Sequence, residues 1–193
     1  IDRKMENQTV ILVGMVLSLF VNALLTTLTS LSREHLQQLT FWQMGSFSGH
    51  GWPYVGILAV VTAVGLLALC CFTREMDIMT FGEEQAQAVG VNIKRVKFIL
   101  IALAALLTGT TVSFVGVIGF VDLIAPHVVR KVFGSSHRLV LPLSALFGGA
   151  FMALADLISR TVISPSELPV GAVTALVGAP FFAYVYFSRR KKS

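Results

Sequence analysis

Few side chains in this chain are equipped for chemistry, and their spacing limits what they could do. Asp122 and His127 share one apolar stretch, residues 118–133. A carboxylate beside an imidazole can act as an acid–base pair or as part of a metal site. No second His or Cys stands at ligand spacing near them, which argues against a membrane-embedded enzyme built on this pair. His127 follows Pro126 and is read as bonding backbone groups that the proline frees. Asp122 is read as a polar lip at the end of a short helix, although an ionisable group in an apolar run is also a functional candidate. Cys70 and Cys71 are adjacent inside another apolar run, a spacing that suits neither zinc nor a disulfide framework. Asp156 and Arg160 stand at i,i+4, where they can pair on one helix. Glu83 and Glu84 sit together between two apolar runs. No nucleophile–base or metal-ligand constellation results, so neither a catalytic residue, a metal nor an enzymatic activity is expected.

The elements that carry these residues follow from composition. Of the 193 residues, 55% are hydrophobic and only 13% charged, against roughly 25% charged in soluble domains. Such a chain must face lipid over much of its surface, and the expected fold is an all-α polytopic transmembrane helix bundle. Crossing a hydrocarbon core takes about 20 apolar helical residues. Residues 10–31, 54–72, 96–115, 139–158 and 170–187 meet that length. The sixth apolar run, 118–133, spans only about 24 Å as a helix, and Pro126 should kink it. Its crossing is decided by the basic residues. With six spans and both ends inside, thirteen of the fifteen Lys and Arg are cytoplasmic and only Arg33 and Arg160 are outside. Without that crossing the split is seven to eight. The positive-inside rule selects six spans. The net charge of +5 therefore reports orientation, and no nucleic-acid partner is expected.

Small residues mark close helix contacts. Gly116 and Gly119 flank the short span, while Ala145 with Gly149, and Gly171 with Ala175 and Ala179, form small-xxx-small faces. These faces suit packing within the chain or a subunit interface. In the first span Ser18, Asn22 and Thr26 share one stripe at i,i+4 spacing, a polar surface inside a bundle. Residues 36–45 suit a segment lying at the membrane surface, where Trp42 would collect.

The loop from residue 73 to 92 carries the most information. Thr80-Phe81-Gly82-Glu83 has the form of a capping box. It predicts a helix over 81–89 ended by Gly90, with Asn92 capping the next span. A helix that short needs a surface to pack against. It either rests on lipid headgroups or docks a cytoplasmic partner.

Here a resemblance becomes specific. Gly82-Glu83-Glu84-x-Ala86-x-x-x-Gly90-Val91 resembles the coupling-helix signature of permease subunits of ATP-binding-cassette (ABC) importers. The stretch from Gly119-Phe120 through Pro126-His127 to Arg130 resembles a motif of the iron-siderophore, haem and cobalamin permease family. Further matches are His137-Arg138, Ala155-Asp156 with Arg160, and Glu167-Leu168-Pro169-Val170-Gly171 leading to Gly178-Ala179-Pro180. The likeness covers nearly the whole sequence. Asp122 departs from it, standing where that family usually has Gly.

The resemblance implies a type II ABC importer permease in a bacterial cytoplasmic membrane, working as a homo- or heterodimer over two cytoplasmic ATPase subunits. An extracytoplasmic binding protein would deliver a metal chelate, most commonly an iron-siderophore. The chain itself would need no cofactor, ATP being bound by the ATPase. Gly82, Glu83, Glu84, Ala86 and Gly90 would couple to the ATPase, the two acids pairing with bases in its groove and Ala86 and Gly90 permitting close approach. Arg160 would dock the binding protein, against the plainer reading of a residue snorkelling to headgroups. Ser18, Asn22 and Thr26 would line the pathway. Family members have about ten spans and this chain matches the last six. It is therefore expected to form one permease domain over 1–193, the C-terminal part of a longer subunit. The rival function is an ion-coupled transporter or channel without an ATPase, for which only Asp122 and Asp156 could supply an acidic relay.

Overall fold

The structure, a computed structural model, describes residues 3–31, 36–49, 51–163 and 167–190. Arg33 and the Lys191-Lys192 end of the basic tail lie outside them. The described residues form nine helices and no strand, the all-α bundle anticipated above. They divide into two compact units, residues 1–41 and 42–193.

The first unit is dominated by α1 (Arg3–Leu31), whose portion Ile11–Leu31 is long and apolar enough to cross a membrane. Asn22, Thr26, Thr27 and Thr29 bond back to their own helix. Asn22 Nδ2 donates to the Ser18 carbonyl at 2.9 Å, and Thr26 Oγ1 to the Asn22 carbonyl at 2.8 Å. Back-bonding of this kind satisfies hydroxyl and amide donors without water. The helix α2 (Leu36–Met44) begins in this unit and ends in the second.

In the second unit, α3 (Trp52–Cys70) starts at Gly51 with a proline in its first turn, where the missing N–H costs nothing. The helices α6 (Ile93–Val115) and α8 (His137–Thr161) each begin two or three residues before the predicted span. For α6 the reason is Asn92, whose side chain accepts from the Arg95 N–H at 3.2 Å. Together with α1 and α3 they make four helices that could cross by length and composition. The apolar part of α9 (Val170–Arg190) described in full, Val170–Ala183, is shorter.

The short apolar run differs most from expectation. Gly116 ends α6 with φ 77° and ψ −165°, a region open essentially to glycine alone. Helix resumes only at α7 (Val121–Phe133), which is 13 residues long, or about 20 Å. The end of α2 closes this loop. Ser46 N–H donates to the Val115 carbonyl at 2.9 Å and Trp42 Nε1 to the Ser113 carbonyl at 3.3 Å. These bonds satisfy acceptors that a helix C-terminus leaves open.

Packing within the chain uses only part of these small-residue faces. On α8 it is Gly148 that is buried, facing Val121 and Ala125 of α7, while Ala145 and Gly149 are exposed. On α9 the buried positions are Val170, Val173, Thr174 and Gly178, with Gly171 against the Met44 carbonyl; Ala179 is exposed. The core cluster of Ala155, Val170 and Val173, with Phe47, Met152 and Leu168 around it, joins α8 to α9. Elsewhere little is buried. In the apolar 18-residue stretch of each of the four long helices, no more than 6% of the residues are inside the protein.

Candidate functional site

The connection between α3 and α6 contains two short helices where one was predicted. The first, α4 (Thr73–Met79), was missed. The second, α5, runs only Glu83–Ala88. The capping box does not form. Thr80 ends α4, its hydroxyl donating to the Asp77 carbonyl at 2.6 Å, and α5 starts from Gly82 at φ 120° with no side-chain cap. Glu83 is thus the first residue of the helix, where an acid meets the positive end of the helix dipole. At the other end the Gly90 N–H donates to the Gln87 carbonyl at 2.9 Å and the Val91 N–H to the Ala86 carbonyl at 3.0 Å. This Schellman closure needs the positive φ of 88° that Gly90 supplies.

Ala86, expected to admit a partner, is wholly buried and seats α5 on its own chain. Glu83 already has a base, Lys97 of α6, at 2.5 Å, with both side chains more than 40% exposed. On the outward surface two large apolar side chains stand among the exposed Glu84, Gln85 and Gln87: Phe81 is 76% and Val89 70% exposed. They border a groove of about 720 Å³ between α4, α5 and the start of α6, with Arg74, Glu75 and Gln85 also on its walls.

A second polar feature holds α4 from behind. Asp77 Oδ1 accepts from the His137 backbone N–H at 2.8 Å and lies 2.6 Å from His137 Nδ1, while Ser136 Oγ donates to Oδ2 at 3.0 Å. The His137 backbone N–H, then the His137 and Ser136 side chains, hold the Asp77 carboxyl below its ordinary 3.8 against the opposing effect of partial burial.

At the far end of α8, Arg160 is already paired. Its Nε bonds Asp156 Oδ2 at 2.9 Å, as the i,i+4 spacing predicts, and a guanidinium nitrogen lies 3.8 Å from Glu167 Oε1. Glu167 was not foreseen as a partner; its other oxygen bonds Ser48 Oγ. The segment carrying it is pinned to α8 by two bonds between Ser159 and Leu168, at 2.6 and 3.1 Å.

In the loop before α7, Gly119 has open space around it, so only Gly116 makes the close approach predicted for both. Asp122, Pro126 and Arg130 recur at intervals of four on one stripe, and line both a cavity of about 430 Å³ against α8 and one of about 240 Å³ against α9. The His127 side chain makes no hydrogen bond among the described residues, so the bond to freed backbone expected of it is not seen. Phe120, singled out by no chemical signal, has φ 69°, a left-handed backbone at the start of α7. Its Cβ and the near edge of its ring occupy the place where a side chain on Gly178 of α9 would stand. Among the described residues no group of three or more His, Cys, Asp or Glu is arranged to hold a metal.

The sequence matches the FecCD transport family over residues 1–188. It is 40% identical over 185 residues to the cobalamin import system permease protein BtuC of Halobacterium salinarum, covering 96% of this chain and 50% of that protein. It is also 40% identical over 152 residues to the Fe(3+)-citrate import system permease protein YfmE of Bacillus subtilis, covering 78% and 46% respectively. The structure is similar to a solved metal-chelate type ABC transporter in an inward-facing conformation. The TM-score is 0.87 at 32% identity, over 92% of this chain and 58% of that one. The chain spans about half the length of the curated relatives it matches.

Proposed function

This chain belongs to the FecCD transport family, and from that premise we propose that it acts within a membrane permease of an ABC importer. The permease performs no covalent chemistry and binds no cofactor; a separate cytoplasmic ATPase supplies the work. The observation that carries the docking role is the form of α5. Six helical residues cannot hold themselves helical in water. Here α5 is anchored from below by Ala86 and presents Phe81 and Val89 outward around an acidic first turn. Large apolar side chains exposed together with charge suit a surface that a partner covers. Glu84 and the Phe81–Val89 edge face the ATPase. Glu83 divides its charge between that partner and Lys97, and Gly82 and Gly90 set the helix's two ends.

The remaining roles follow the same reading. The α4–α5 segment and the C-terminus lie in the cytoplasm, and α7 crosses as the short fourth of six spans in a single permease domain. Ser18, Asn22 and Thr26 line a pathway shared with a second permease subunit. Arg160 meets an acidic residue of an extracytoplasmic binding protein by exchanging it for Glu167. The cargo is a metal chelate, the class shared by relatives named for cobalamin and ferric citrate import. Within it we assign a ferric siderophore, on the likeness to the ferric citrate permease.

The test is co-purification of the membrane-inserted protein with its ATPase. Glu83→Lys with Glu84→Lys should abolish capture while leaving insertion intact. Glu83→Lys with Lys97→Glu, which restores the internal pair with reversed polarity, separates docking from local folding and should retain most capture. Undiminished binding by the first double variant, or uptake driven by an ion gradient without any ATPase, overturns the assignment. Competition between ferric siderophore, ferric citrate and cobalamin for uptake then identifies the cargo.

A further inference from the structure

We propose that Asp77 is the joint that carries motion of the α4–α5 segment into α8, and through α8 into α7; this rests on the reading of α5 as the ATPase-docking helix. The segment is continuous with α3 and α6, so a push on it reaches those helices through the chain itself. It has no such route to α8, whose start lies 60 residues further along. The polar link between them is the Asp77 carboxylate.

That link is built as a helix cap supplied from another helix. Ser136 occupies the N-cap position of α8 but makes no side-chain cap of its own. Asp77 instead receives the first backbone N–H of the helix, from His137, and the Ser136 hydroxyl. A carboxylate here completes the donors a helix N-terminus leaves open and opposes the positive end of its dipole. The His137 side chain, only 12% exposed, closes on the same oxygen. Hydrogen bonds to an ionised acceptor are short and directional, so the carboxylate fixes both the position and the orientation of α4 against α8. A further charged tie of the segment, Glu83–Lys97, is exposed on both sides. Such pairs hold little.

Beyond the joint, α8 is a 25-residue helix with Pro142 in its second turn, continuous over about 38 Å. Its flank carries α7, with Gly148 against Val121 and Ala125. Displacing α4 therefore moves the α7–α8 pair as one body, and severing the joint leaves the ATPase docked but its stroke undelivered.

The experiment uses the full importer with its ATPase and binding protein in proteoliposomes, measuring cargo moved per ATP hydrolysed. Asp77→Ala should leave ATPase capture and hydrolysis within about twofold of wild type. Transport per ATP should fall about tenfold or more, as loss of hydrogen bonds to a charged group predicts. Asp77→Asn, which can still accept the His137 N–H, should fall less. In a background lacking Cys70 and Cys71, oxidation of Asp77→Cys with Ser136→Cys should restore the ratio and reduction should abolish it again. An unchanged ratio, whether both activities persist or both fall together, overturns the proposal. If Asp77→Ala does not accumulate, the ratio for Asp77→Asn decides by the same criterion. Failure of the wild-type protein to bind any ATPase would instead strike at the function proposed above.

Discussion

Three glycine-to-alanine substitutions separate backbone strain from close packing around α7. At Gly119 an added Cβ meets nothing within 4 Å and the backbone is ordinary. The change should stay within about 0.5 kcal/mol of wild type. At Gly134, φ is 90° and ψ −176°, again with open space. Alanine there incurs strain of about 1–3 kcal/mol, partly offset by about 0.4–1 kcal/mol from the stiffer unfolded chain. The net loss should be about 1–2 kcal/mol. At Gly116 the same kind of strain is joined by collision, because the new Cβ would stand 1.9 Å from the Trp42 carbonyl oxygen and 3.2 Å from the Gly45 Cα. These are backbone atoms that no rotamer change can remove. Overpacking adds about 1–3 kcal/mol, so Gly116→Ala should lose about 2–5 kcal/mol. Urea unfolding of the purified protein in one defined detergent, followed by tryptophan fluorescence, reads the series. Equal losses at Gly116 and Gly134 would show that the contact of α2 with the α6–α7 loop is looser than described. A large loss at Gly119 would place the close approach elsewhere.

The strained residue and the α4–α8 joint supply two further predictions. Phe120→Ala keeps the left-handed backbone and loses the ring, whereas Phe120→Gly loses the ring but relieves about 1–2 kcal/mol of strain. The glycine variant should therefore be the more stable of the two in the same unfolding assay, and Phe120→Gly should rescue Gly178→Ala better than Phe120→Ala does, because the new Cβ would stand 2.4 Å from the Phe120 Cβ and 2.6 Å from its Cγ and only glycine removes both. Because folding lowers the Asp77 pKa below 3.8, its ionised form is the stabilising one. Asp77's contribution is complete above that value and disappears only as pH falls through the lower folded one. Hydrogen exchange at the His137 amide should stay protected, as far as Asp77's own titration is concerned, from neutral pH to about pH 4 and weaken below it. Loss of protection between pH 7 and 5 in wild type that Asp77→Asn removes would refute this.

What the sequence makes legible is set by range. The long helices follow from apolar run length, and Gly90 and Asn92 are visible because a helix end is decided within a few residues. The α4 helix, seven residues without a useful period, leaves no such trace. Thr80 was misread because Thr-x-x-Glu fits a helix start, while a threonine hydroxyl turned back onto Asp77 closes a helix equally well. On α8 it is Gly148 that packs within the chain: adjacent Gly148 and Gly149 are equivalent in composition, and only the direction of α7 distinguishes them. Asp77 with His137, and Arg160 with Glu167, are contacts between separate elements, and nothing local announces them. Phe120 was hidden for a different reason, since a bulky residue in a left-handed conformation contradicts its own propensity and is held there by Gly178.

The sparse interior of the long helices has a consequence for handling the protein. Where so few side chains touch one another, acyl tails or neighbouring subunits complete the packing, and the annulus acts as the missing half of the core. Stripping bound lipid should then resemble many small cavity-forming substitutions at once, distributed along every span. Stability becomes a joint property of polypeptide and surrounding amphiphile, and a melting point belongs to the pair.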